Sequence, residues 1–194
     1  YEGRSGNMLD DQILAYGAQE KSELFFLRDM AVALGEQQIV FYDIGANVGQ
    51  HSLFMSPYVR AVHAFEPYPP VLKRLNNNIA INHLTNVHVH AVGLGDHNGT
   101  IPFFEPPDAN MGSGSFTKKW DNTLQTRDGL PLVVGDEYAA SERIPLPTII
   151  KCDIEAYEKP ALIGLKKTLA QSRPIVLLEL TPGYPTSFSS ITDL

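Results

Sequence analysis

Cysteine is almost missing from this chain: Cys152 stands alone, so no internal disulfide can form and nothing points to an oxidising compartment. Long apolar runs are missing too. No stretch of about 18 apolar residues and no charged-then-apolar leader occurs, so no membrane segment is expected and a cytoplasmic location follows. Basic residues are scarce, 15 Lys and Arg against 22 Asp and Glu, for a formal charge of −7. The pairs Lys73-Arg74, Lys118-Lys119 and Lys166-Lys167 are isolated and read as solvated faces. Tracking a phosphate backbone takes clustered cations, so no nucleic-acid partner is expected and a small or neutral substrate is the starting point. There is no internal repeat and no low-complexity tract. The first residue is Tyr1 rather than Met, so the native N-terminus is expected to be missing.

What is present is enough apolar material for a packed core, 43% of 194 residues, with 19% charged, which argues against disorder. One domain over 1–194 is expected. Residues 1–38 form a loop and helical lead-in, with an amphipathic helix from Ser22 to Leu34 stopped by Gly35. Strands are expected at 39–44, 61–65, 87–94, 148–153 and 174–180, with helices at 50–56, 70–82 and 159–169. An added strand at 100–104 turns back on the third. Strands alternating with helices predict a mostly parallel α/β sheet covered by helices on both faces. Residues 105–147, rich in Pro, Gly, Asp, Ser and Thr, read as an irregular lid or acceptor region, with Asn110–Phe116 as the lid itself.

In such sheets ligands bind beyond the carboxyl ends of the strands. Asp43-Ile44-Gly45-Ala46-Asn47-Val48-Gly49 closes the first strand there. Gly45 and Gly49 permit a tight turn and close approach of a ligand to the backbone. Glu66 ends the second strand, where a carboxylate accepts both hydroxyls of a ribose. The pattern is Gly-x-Asn-x-Gly, not the G-x-G-x-x-G that holds a pyrophosphate, and Asp43 would repel phosphate while helping to hold an ammonium. A phosphate-free sulfonium nucleoside, S-adenosyl-L-methionine, fits better than NAD. His88 and His90 share a strand face, but no Cys or second acidic cluster completes a ligand set, so no metal site is expected.

Four segments together, Asp43–Gly49, Ala64-Phe65-Glu66-Pro67, Lys151-Cys-Asp-Ile-Glu-Ala-Tyr-Glu158 and Arg173-Pro-Ile-Val-Leu-Leu-Glu179, resemble the FkbM family of S-adenosylmethionine-dependent methyltransferases. The resemblance runs in order from about Ile39 to Leu180. One departure is Ala156, where the family's pattern has glycine. The resemblance implies a class I methyltransferase Rossmann-like fold and methyl transfer, typically to a hydroxyl oxygen of a small molecule or sugar. It implies that Asp43, Gly45, Asn47 and Gly49 line the methionine and ribose, that Glu66 holds the ribose, and that the Val92–Asp96 loop, ending in Asp96, edges the adenine. It also implies two further C-terminal strands, expected to be missing beyond Leu194. Asp153 and Glu155, at the end of the fourth strand, are the candidates to orient or deprotonate the acceptor, and sharing a face would raise one pKa. The competing readings are an RNA methyltransferase, a cofactor-binding module without turnover, and a nicotinamide-dependent dehydrogenase.

Overall fold

The computed structural model describes residues 1–3, 5–107, 109–117, 124–125, 128–188, 190 and 192. Its centre is a five-stranded, all-parallel sheet of β1 (Val40–Ile44), β2 (Ala61–Phe65), β3 (Val87–His90), β9 (Ile149–Cys152) and β10 (Ile175–Leu178), in the order β10-β9-β1-β2-β3. β1 and β9 are buried at every residue, which is why they read as unbroken apolar runs.

Alternation along the strands splits the core in two. Tyr42, Ile44, Phe65, Ile150 and Cys152 face one way, with Ala161 of helix α6 (Glu158–Gly164) and with Leu165 and Leu169 around α7 (Lys166–Ser172). Phe41, Val62 and Ile149 face the other way, with Leu27 and Ala31 of α2 (Lys21–Leu34) and Met55 of α3 (Gln50–Met55). Helix α4 (Pro69–Ile81) lays Leu75 on Ala64. Helices thus cover both faces, as the pattern predicts. In the lead-in, α1 (Met8–Tyr16) packs Leu9 with Val48 and Val71. No helix among the described residues is long and apolar enough to cross a membrane.

Four expectations are corrected. The expected third strand breaks after His90, and β4 (Gly93–Gly95) leaves the main sheet to pair with β8 (Leu130–Val134). The turn-back strand exists as β5 (Gly99–Ile101), but it pairs antiparallel with β8, which lies between it and β4. Residues 105–147 are more regular than their composition suggests: β6 (Phe104–Glu105) pairs with β7 (Leu124–Gln125), and β8 runs straight into α5 (Gly135–Ser141). Pro131 is tolerated in a central strand because β4 pairs only with Leu132–Val134, so no neighbour on that side needs its missing N–H. Finally, the helix expected over 159–169 is two helices. Asp136 of α5 accepts the backbone N–H groups of Lys167 and Thr168 at 2.7 and 2.8 Å, capping a fresh start at Lys166. The pair Lys118-Lys119 lies outside the described residues.

Candidate active site

The chain runs outward from β1 to β2 and β3, then crosses back to β9 and β10. The carboxyl ends of β1 and β9 therefore diverge, the position at which open α/β sheets bind ligands. A cleft opens there, walled by Gly45–Val48, Phe65–Tyr68, Val92–Leu94 and Lys151 with Asp153–Glu155. The lead-in adds Leu9 and Glu20, and the segment from Asn110 to Phe116 forms another wall. Tyr68 stacks on Phe103, centroids 5.1 Å apart, and Phe103 meets Phe116 edge to face at 5.4 Å.

The turn after β1 is closed on itself. The N–H groups of Gly45 and Ala46 both donate to Phe65 O at 3.1 Å, and that of Gly49 donates to Ala46 O at 2.9 Å. The Asn47 N–H donates to Glu66 Oε2 at 3.0 Å, and the Val48 N–H to Asn47 Oδ1 at 2.8 Å. All five N–H groups are thus occupied, and none is left to cradle a pyrophosphate. Both glycines take the positive φ that the expected tight turn needs. Gly45 has φ +79°, and a Cβ there would lie 2.0 Å from the Asp153 carbonyl oxygen; at Gly49, φ +94°, it would strike Leu75. Both positions admit the close approach of neighbouring protein, and Gly45 also lines the cleft.

Glu66 is buried against the cleft. Its Oε1 accepts the Tyr68 N–H at 2.9 Å and its Oε2 the Asn47 N–H, which leaves a lone pair on each oxygen. Burial raises its pKa to about 7 despite those two bonds and nearby Lys151. Two convergent acceptors match the vicinal hydroxyls of a ribose, so the residues fit a phosphate-free nucleoside.

Asp43 sits beneath the cleft floor, fully buried, not on its wall. Ser52 Oγ donates to its Oδ2 at 2.6 Å, and Lys151 Nζ stands 4.0 Å from Oδ1. Lys151 also donates to Gly45 O at 3.2 Å and pairs with Asp153 at 3.1 Å. Burial alone would lower the lysine's pKa, but Asp153 and Asp43 more than offset it and hold it above its ordinary value. Burial likewise pushes Asp153 up, and Lys151 and Glu179 bring it below the usual carboxylate range. Asp153 itself therefore does not rise: it stands between a cation, Lys151, and a second carboxyl group, Glu179.

Glu155 and Ala156 both take left-handed backbone, φ +58° and +76°, so the family's glycine position demands the conformation glycine adopts most easily. Glu158 holds this turn, its Oε1 accepting from Ile154 N at 3.2 Å and Ala156 N at 2.9 Å. The segment expected as a lid, with Thr117 after it, is tied to this turn, Ser115 Oγ donating to Glu155 O and Thr117 Oγ1 to Ala156 O. Asp96 stands apart, exposed and paired with His97 at 2.7 Å, while Val92, Gly93 and Leu94 supply that part of the wall. Sequence reasoning gave Lys151 no part beyond local pairing within the Lys151–Glu158 segment, though a lysine inside an apolar strand is itself a signal. It also missed His51, whose pKa burial lowers to about 4. His63, His88 and His90 stack on one another at the sheet edge, with His63 Nδ1 and His90 Nε2 3.0 Å apart.

The profile of the methyltransferase FkbM domain matches residues 43–194. The chain belongs to the FkbM methyltransferase family. It is an S-adenosylmethionine-dependent methyltransferase. It is 29% identical over 180 residues to the hexuronic acid methyltransferase AglP of Haloferax volcanii, covering 87% of this chain and 70% of that protein. It is also similar to the crystal structure of methyltransferase FkbM from Methylobacillus flagellatus KT, with a TM-score of 0.53 and 19% identity over 73% of this chain. The match spans 32% of that longer chain, and at this identity it shows the fold alone.

Proposed function

We propose that residues 1–194 act as one methyltransferase domain that transfers a methyl group to an oxygen of a sugar, with a hexuronic acid as the first acceptor to test. The observation that carries the site assignment is the closed turn at Gly45–Gly49 beside Glu66: it offers acceptors for a ribose and no donors for a phosphate. Glu66 then holds the ribose, Gly45, Asn47 and Gly49 shape the turn beside the methionine portion, and Val92–Leu94, in place of Asp96, edge the adenine. Asp43 acts from below, fixing Ser52 and Lys151.

S-adenosylmethionine, when bound, supplies an electrophilic methyl group on a sulfonium. The chain's own work is to aim an oxygen at it and exclude water. Such positioning is worth about 7–11 kcal/mol in well-oriented systems. Asp153, ionised and on the cleft wall, orients an acceptor hydroxyl and takes its proton; Glu155 stands next to it on the same turn. Asn110–Phe116 closes the acceptor side.

A second reading has its own support. The pKa values of Asp153 and His51 are both lowered, so neither is a strong base, and Glu66, raised to about 7, is assigned to the ribose. The carboxylate oxygen of a uronic acid is already ionised and needs none. Both readings are tested by turnover with hexuronic-acid and matched neutral glycosides. Base-labile product marks an ester, base-stable product an ether. Transfer to neither glycoside would overturn the sugar assignment. Asp153→Asn is expected to cost at least about 100-fold in kcat for ether formation, with calorimetric cofactor affinity retained; unchanged turnover removes Asp153 from the chemistry.

A further inference from the structure

Beside the cofactor cleft lies a second group of side chains that methyl transfer does not use. Glu20 precedes α2, Glu23 lies one turn inside it, and His51 lies in α3, packed across from α2. His51 Nε2 is 4.0 Å from Glu20 Oε2 and 4.0 Å from Glu23 Oε2, and one ligand atom from each residue lies within 4.8 Å of the others. The imidazole is 6% exposed, and its Nε2 has no hydrogen-bond partner. The carboxylates, 40% and 45% exposed, leave a way in. Glu20 and His51 both line the cleft.

The arrangement is held in place. The Gln19 N–H donates to Gln50 Oε1 at 2.7 Å, and Gln50 Nε2 donates back to Gln19 O at 3.0 Å, which locks the Glu20 turn onto α3. Glu20 takes left-handed backbone, φ 49°, at the helix N-cap, yet its side chain makes no capping bond. That conformation is uncommon for a residue other than glycine. Here it turns the carboxylate toward His51 instead of the helix end. Asp153 adds negative charge nearby, and Lys151 is already engaged by Asp153 and Gly45 O.

We propose that Glu20, Glu23 and His51 form a binding site for a divalent transition-metal cation in the wall of the cofactor cleft. One imidazole and two carboxylates, with no thiolate, suit Mn²⁺ or Zn²⁺. Metal–ligand bonds of about 2.1 Å place neighbouring ligand atoms roughly 3–3.5 Å apart, so separations of 4.0 Å, and of up to 4.8 Å within the group, must shrink by about 0.5–2 Å on binding. Three protein ligands leave positions open toward the cleft for an oxygen ligand. The ion also neutralises the acidic wall that otherwise repels an anionic acceptor. Binding does not depend on which acceptor is used.

The test is calorimetry of the chelator-treated protein with Mn²⁺ and with Zn²⁺, alongside spin-echo spectroscopy of the Mn²⁺-loaded protein. One ion per chain is expected, with an upward shift in unfolding temperature. Glu20→Gln and Glu23→Gln are each expected to weaken binding by about 10–100-fold. Nitrogen modulation of the Mn²⁺ echo should be present in the native protein and absent in His51→Gln. Absence of binding by either metal at millimolar concentration overturns the site. So does binding that Glu20→Gln and Glu23→Gln leave unchanged, or an echo without nitrogen modulation.

Discussion

With the ribose role proposed for Glu66, one side chain would couple cofactor binding to pH. Burial raises its pKa to about 7, so near neutrality a fraction of the cofactor-free protein carries the proton. Ribose hydroxyls donate to the ionised form and favour it, so the pKa falls on binding and a proton is released. Affinity for S-adenosylmethionine should therefore rise with pH, by up to about tenfold per unit below pH 7, and level off above it. Calorimetry between pH 5.5 and 8.5 checks this, and Glu66→Gln should bind weakly with a flat profile. A profile in the native protein as flat as the variant's would mean the carboxylate does not hold the ribose. Lys151 carries the opposite burden. Its ammonium is what compensates Asp43, which is fully buried and cannot turn to solvent, whereas Asp153 can. Lys151→Met keeps the volume and strands the Asp43 charge, and should cost about 3–5 kcal/mol in urea unfolding. The double change Lys151→Met with Asp43→Asn should recover much of that loss.

At the scale of elements, legibility followed locality. β1 and β2 were readable because each is an apolar run closed by its own turn, and the Asp43–Gly49 signature sits inside one such turn. The break between β3 and β4 was not, because it is decided elsewhere: β4 leaves the sheet to meet β8 and to pass beneath α6. The split of α6 from α7 depends on Asp136, which is distant in sequence and caps Lys167 and Thr168. The site divides in the same way. Gly45, Asn47 and Glu66, named from spacing, line the cleft, but the Lys151 ion pairs and the Glu20–Glu23–His51 group exist only once α2, α3 and β9 are assembled. Gly164 makes this dependence measurable. A Cβ there would lie 1.9 Å from the Gly95 carbonyl oxygen, so Gly164→Ala must push α6 off β4. A loss of about 3 kcal/mol is expected, at the upper end for overpacking. Gly99→Ala, which meets nothing within 4 Å, should stay within about 0.5 kcal/mol. Equal urea midpoints for the two variants would show that this contact does not hold the second sheet to the helix.

For the whole molecule, the topology brings these parts together. At the divergence of β1 and β9 the closed turn, Glu66, the Asp153–Glu155 turn and the 110–116 wall face one another, and they come from segments more than a hundred residues apart. Ser115 and Thr117 hold the wall to the carbonyls of Glu155 and Ala156, so this wall is bonded to the turn that follows Asp153. A ligand filling this cleft therefore stabilises elements at both ends of the chain, and its effect should register as global stability. At a concentration of 100 times its Kd, S-adenosylmethionine should contribute about 2.7 kcal/mol. For a domain of this length that corresponds to a rise in Tm of about 5–10 °C. NAD at the same concentration should raise it by less than about 1 °C, because the N–H groups of Gly45–Gly49, which a pyrophosphate would need, are all engaged within the protein. A shift with NAD equal to that with S-adenosylmethionine would require the turn to open and release those donors, against the discrimination read from its hydrogen bonds. S-adenosylhomocysteine, which keeps the ribose and the amino-acid portion but lacks the methyl, should match the methylated cofactor to within a few degrees, since Glu66 and the turn hold the parts they share.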